Sequence, residues 1–174
     1  MLVLLWMPGC TPSNYTGMQN DKFPRIEATT LSGEQVVFPD ITHGKTALIL
    51  IAFRRQAQGV IDSWRAPFEE HFANDSNYVF YEIPMISSSW KIMSSMIDNG
   101  MRSGVPKRLH DHVATYYGPL DKYYALFGIH DKRDAYAFLL DAEGNIIFSD
   151  HGTATADKVE ALKNTAITNT QKSE

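Results

Sequence analysis

The chain has a single cysteine, Cys10, among its 174 residues. It can therefore form no intramolecular disulfide and run no two-thiol redox cycle. It also has no excess of positive charge: 16 Lys and Arg stand against 20 Asp and Glu, for a formal net charge of −4. That balance argues against a nucleic-acid partner, since binders of the phosphate backbone carry a basic excess. No apolar run reaches the ~20 residues that a membrane-spanning helix needs. No Gly-rich phosphate loop, catalytic triad or nucleophile elbow is present either; the serines at positions 87–89 read as a helix cap. What remains is an ordinary globular balance, 44 % apolar and 21 % charged, in a length that suits one domain with a substantial core.

Along the chain, residues 23–38 pattern as a hairpin: Ile26, Ala28 and Thr30 alternate, Ser32-Gly33 turns, and a strand resumes at Val36. Residues 47–53, ALILIAF, form the unbroken apolar run of a parallel strand buried on both faces. RRQAQG then leads into a helix with apolar positions Val60, Ile61, Trp64, Phe68 and Phe72, which Pro67 bends without ending. Residues 78–86, YVFYEIPMI, predict a second core strand. Residues 87–101 predict a helix whose stripe Trp90, Met93, Ile97 and Met101 packs on the sheet, with Met96 at its edge. A helix with proline in its first turn is predicted over 106–117, and a short one over 118–129. A hairpin over 135–149, a closing helix over 154–164 and a polar, disordered tail over 165–174 complete the pattern. Right-handed crossovers then bring two parallel strands together, with helices on both faces.

In an open α/β sheet, ligands gather at the carboxyl ends of the strands. Arg54 and Arg55 fall there, between the apolar strand and its helix. A guanidinium fork beside a helix N-terminus suits a carboxylate or phosphate. The other reading is a structural brace, with one arginine paired to Glu82 or Asp62, and it is the preferred reading for Arg55. In His110-Asp111-His112 the two histidines sit two apart, so on a helix they point in different directions and share no ion without further ligands. A surface or capping role is expected there. Neither a metal nor a cofactor is expected. Methionines 85, 93, 96 and 101 gather around Trp90, and adaptable thioethers suit an irregular apolar partner. The stripe is expected in the core, leaving Met96 as the client contact.

The opening MLVLLWMPGC, followed by the polar TPSNYTGMQND, is similar to the end of a bacterial lipoprotein signal. That resemblance implies lipidation at Cys10, a signal remnant over 1–9, a flexible tether over 10–22, and a lipid anchor in the cell envelope facing the periplasm. Thr11, in place of Asp, implies the outer membrane.

Residues 47–72 resemble the active-site unit of a thioredoxin-like domain without its cysteines. FGIHDKRDAYAFLLDAEGNII resembles the second half of that superfamily, with Asp134-Ala135 where the superfamily usually has a proline. The implied fold is α/β: a thioredoxin-like three-layer sandwich over 23–164, with a central mixed sheet, an N-terminal β-hairpin and helices on both faces. Within the superfamily the chain is similar to assembly factors of the mitochondrial ATP synthase Fo sector. Phe53-Arg54, Ser63-Trp64, Pro67-Phe68, Trp90 and Leu109-His110-Asp111 carry that likeness. It implies a non-catalytic monomer that binds a protein client, as an assembly chaperone for a membrane complex. Arg54, Arg55, Trp64, Met96, His110 and Asp111 are the candidate contacts. The alternative is an enzyme or small-anion binder that uses Arg54, Arg55 and His110 at the former redox site.

Overall fold

The computed structural model describes residues 21–173, so Cys10 and the apolar residues before it lie outside the described residues. Strands β1 (Ile26–Thr30) and β2 (Gln35–Phe38) form the N-terminal hairpin. Its turn needs Gly33, whose φ of +103° is a conformation that residues bearing a Cβ resist. β3 (Thr46–Ala52) is buried along its whole length and leads through a 3-10 turn, Arg55–Ala57, into α1 (Gln58–Phe72). β4 (Tyr78–Ser87) runs parallel to β3 and is followed by a 3-10 segment, Ser88–Met93, and α2 (Ser94–Gly104). β5 (Ala114–Gly118), α3 (Asp121–Leu126), β6 (Ala135–Leu140), β7 (Ile146–His151) and α4 (Ala156–Ser173) follow.

These strands make one mixed sheet in the order β2-β1-β5-β4-β3-β6-β7. β3, β4 and β5 are mutually parallel, and the flanking pairs are antiparallel. Because successive strand side chains point to opposite faces, β3 feeds two cores at once. Leu48 and Leu50 meet Ile61, Trp64 and Phe68 of α1, and Leu162 and Ala166 of α4. Ala47, Ile49 and Ile51 meet Phe23, Phe38, Phe138 and α3's Tyr123. Phe127 sits 5.5 Å from the Phe23 ring and 4.9 Å from the Phe138 ring, filling that second layer. Burying a side chain of this size contributes about 1.5–3 kcal/mol. The thioredoxin-like α/β architecture implied by the sequence is the observed one.

Three local expectations differ. Residues 106–117 were predicted as one helix, but only Lys107–Leu109 turn, as a 3-10 segment, and ATYYG is strand β5. Its Thr and Tyr side chains suit a pleated surface. The strand fits between the hairpin and β4, where Thr29 faces Thr115 and Met85 faces Tyr116. Next, the stripe Trp90, Met93, Ile97 and Met101 is not core, since α2 and the 3-10 segment before it bury no residue. Trp90 and Met93 stay exposed and Ile97 and Met101 are half-buried, because this segment is tied to β5 and the hairpin end by polar bonds and is not packed on the sheet. Last, the polar tail expected from residue 165 continues α4 to Ser173. Ala166 is buried there, and Thr170 Oγ1 lies 3.1 Å from Thr46 Oγ1.

Candidate functional site

The parallel run of β3, β4 and β5 puts their carboxyl ends on one edge of the sheet. Arg54 and Arg55 follow β3, the 3-10 segment Ser88–Met93 follows β4, and Pro119 follows β5. β6 is antiparallel to β3, with Ala135 opposite Ala52, so the loop before β6 closes the same edge. Beneath it lies an aromatic floor. Phe53 is 5.0 Å from Tyr124 and 6.5 Å from Tyr136, and Tyr136 stacks on His151 at 5.5 Å. The Tyr136 hydroxyl accepts the backbone N–H groups of His130 (3.1 Å) and Asp131 (3.2 Å), which fixes the loop. His151 Nδ1 lies 3.0 Å from Asp134 Oδ2.

Arg54 is extended (φ −144°, ψ 142°), and its carbonyl accepts the Ala57 N–H at 3.1 Å. Buried Ala57 pins this turn to the core, so the backbone is held while both arginine side chains stand exposed. Among the described residues neither side chain makes a hydrogen bond or an ion pair. The brace to Glu82 or Asp62, preferred for Arg55, is therefore not made by either of them.

Arg65, which sequence reasoning missed, fills that role. Its Nη2 is 2.9 Å from Asp62 Oδ1, its Nη1 2.8 Å from Glu69 Oε2, and its Nε 2.9 Å from Glu82 Oε1. The Nε–H is not aimed at Glu82, so that last contact is an ion pair without a good hydrogen bond. Arg108 also pairs with Glu69. Burial pushes the Glu82 carboxyl above its ordinary value, against the pull of Arg65 and Gln58. For Arg65 burial opposes the charge, but Asp62, Glu82 and Glu69 outweigh it and raise its pKa. The two directions agree physically, since one guanidinium serves three carboxylates while Glu82 has one cation. The signal in the sequence was the spacing of Asp62, Arg65 and Glu69 at i, i+3 and i+7 on one helix face.

The other candidates separate. Trp64 is a core residue and cannot meet a client. Its ring is wholly buried, and its Nε1–H donates to the Gly152 carbonyl at 2.7 Å. Ser63 Oγ accepts the Ala154 N–H at 2.9 Å, so the Ser63-Trp64 pair ties α1 to the turn after β7. His110 Nε2–H donates to the Val105 carbonyl (3.0 Å) and His112 Nδ1–H to the Phe80 carbonyl (3.0 Å), bracing the loop that enters β5. Asp111 is exposed. Phe80 faces Leu48 near the start of β3, whereas Arg54 lies beyond its end. Arg54, Arg55 and His110 are thus not brought into one site. Among the described residues no three His, Cys, Asp or Glu side chains gather as metal ligands, and no helix is long and apolar enough to cross a membrane.

Met96 is 62 % exposed, beside Trp90 at 52 %, Ile92 at 94 % and Met93 at 37 %. Of the six exposed large apolar residues described, these four fall within seven positions. α2 is held by polar bonds instead: the Tyr117 hydroxyl donates to Asp98 Oδ1 (2.8 Å), and Arg102 Nε donates to the Leu31 carbonyl (2.5 Å). Burial first, and the bond to Asp98 second, push the Tyr117 phenol up. Ile92 was the overlooked signal, an apolar residue lying off the predicted stripe.

Sheet order, hairpin and helix placement define a protein of the thioredoxin-like class, and solved structures agree. A putative thiol:disulfide interchange protein DsbE from Chlorobium tepidum is similar at a TM-score of 0.56, with 18 % identity, over 88 % of this chain and 99 % of its own. The exposed lipoprotein thioredoxin Etrx1 from Streptococcus pneumoniae gives 0.56 and 14 %, over 81 % and 99 %. BsSco, a member of the Sco family of cytochrome c oxidase assembly proteins, gives 0.57 and 11 %, over 89 % and 99 %. At these identities the likeness shows the fold. A search of curated protein sequences returned no match. A family model described as "ATP10 protein" matches residues 9–168, and the chain belongs to that family. Family and fold together are consistent with an assembly-factor role.

Proposed function

We propose that this protein is a non-catalytic assembly factor that binds a protein client at the carboxyl edge of its sheet, with Arg54 and Arg55 as the recognition groups. The observation that carries this reading is their placement. Two guanidinium groups without partners among the described residues stand on a pinned turn where a thiol oxidoreductase of this fold carries its thiols. Their planar forks suit carboxylates on an acidic client segment. In this reading the chain works as a monomer, held at the bacterial cell envelope by lipid on Cys10. Support for the anchor is the apolar run ending in Gly9-Cys10.

The test is crosslinking and co-purification from native membranes with wild type, the double variant Arg54→Ala/Arg55→Ala, and the corresponding lysine variant. Client recovery is expected to fall sharply in the alanine variant while the fold is retained. Loss in the lysine variant as well points to bidentate recognition. Unchanged recovery in the alanine variant ends the claim for these arginines. The intact mass of the membrane fraction is expected to carry a diacylglycerol adduct, absent from Cys10→Ser. An unmodified soluble protein that keeps residues 1–9 refutes the anchor.

A further inference from the structure

Beyond client recognition, we propose that the segment formed by residues 88–97 docks the protein onto an anionic lipid surface. Trp90, Ile92 and Met96 enter the headgroup–acyl boundary in this arrangement, and Lys91 meets the headgroups. Three observations carry it. First, the apolar side chains project. Ile92 is 94 % exposed, and the two clefts around Phe72 and Tyr78 include none of Trp90, Ile92, Met93 or Met96 among their lining residues. A projecting apolar tip fits a soft phase that closes around it better than a rigid partner that needs a groove.

Second, the unpaired side chains beside it include three cations. Lys91 is the one charged residue in 88–97, and Arg54 and Arg55 stand at the same sheet edge, all three without a partner among the described residues. Of the carboxylates near that edge, Asp98 accepts the Tyr117 hydroxyl, Asp131 pairs with Arg133 and Asp134 with His151. Free ammonium and guanidinium groups complement anionic headgroups even on a chain of net charge −4. Third, the residue types match an interface. A half-exposed tryptophan beside methionine, isoleucine and a lysine is the make-up of an interfacial segment, with the aromatic ring at headgroup level. α2 adds no buried apolar residue of its own, so the tip can insert without opening the core.

The experiment uses the full chain with Cys10→Ser, which removes lipidation, and Trp6→Phe, which leaves Trp90 as the partly exposed tryptophan reporter while Trp64 stays buried. Binding is read by co-sedimentation with phosphatidylcholine vesicles, with and without phosphatidylglycerol, at low and high salt. Association with the phosphatidylglycerol vesicles is expected, with a blue shift of Trp90 emission and weakening by salt. A further triple substitution, Trp90→Ser/Ile92→Ser/Met96→Ser, is expected to lower the partition about tenfold or more, and Lys91→Ala by about fivefold. Unchanged denaturant midpoints confirm that the variants fold. Absence of vesicle binding, binding that the triple variant retains, or equal binding to pure phosphatidylcholine each overturns the proposal. If the triple variant loses the protein client while wild type ignores vesicles, the tip is a protein contact and the lipid assignment fails. Client loss confined to the Arg54/Arg55 variants leaves both readings intact and separates them.

Discussion

Helices α1 and α2 stand in equivalent places, each following the carboxyl end of a parallel strand, yet they are attached by different chemistry. α1 buries Ile61, Trp64, Phe68 and Phe72 and carries Arg65 onto three carboxylates. α2 buries nothing and hangs on Tyr117–Asp98 and Arg102–Leu31. Burial stabilises in proportion to the apolar area removed from water, whereas an intramolecular hydrogen bond contributes about 0.5–1.5 kcal/mol net. α1 is therefore part of what folds the domain. α2 is attached to the domain by those bonds, and its Met96, with Trp90, Ile92 and Met93 of the segment before it, stays exposed.

The two tryptophans give the largest contrast. Trp64→Ala is expected to cost about 3–5 kcal/mol, through lost burial, a cavity and the lost bond to Gly152. Trp90→Ala should stay within ~0.5 kcal/mol. Urea melts of both decide it, and equal losses would break the comparison.

The ion-pair network under α1 comes next. Arg65→Met leaves Glu82 buried without its cation and is expected to cost about 3–5 kcal/mol near neutral pH. Burial holds the folded Glu82 pKa above its ordinary 4.5. The stability tied to that shift is therefore fully present below the ordinary value and is lost as pH rises through the raised one. Relative to Glu82→Gln, wild type should lose ground as pH rises from about 4.5, and the cost of Arg65→Met should shrink in acid. Denaturant melts across pH 4 to 8 check both signs, and a wild type that gains on Glu82→Gln with rising pH would contradict them.

Tyr117→Phe removes one bond between β5 and α2 and should cost about 0.5–1.5 kcal/mol. Its signature is local: amide exchange should speed up in α2 while β3 stays protected. The smallest effect belongs to Arg54→Ala and Arg55→Ala, expected within ~0.5 kcal/mol of wild type because neither side chain has a partner among the described residues. A large loss in chemical melts would show that one of them is a brace after all.

Several elements were legible before folding. The unbroken run of β3, the hairpin at Gly33 and the α1 period through Pro67 all have periods that a single strand or helix imposes on its own sequence. β5 was not legible. ATYYG is short, and its neighbours β1 and β4 come from distant parts of the chain, so the pairing that makes it a strand is non-local. The stripe over 90–101 misled for a related reason: a 3.6-residue period shows that a helix could present one face, not that any surface is waiting for it.

The sequence by itself determined the absence of a two-thiol centre, the double-faced central strand and the arginines at its carboxyl end, because each follows from residue type or from local period. Only the tertiary structure decided which arginine is the brace. Arg65 reaches Glu82 because α1 lies across β4, while Arg54 and Arg55 turn outward on a pinned 3-10 turn. It likewise decided which tryptophan is core. A side chain's burial depends on what lies above it, and the sheet supplies a covering layer over Trp64 and none over Trp90.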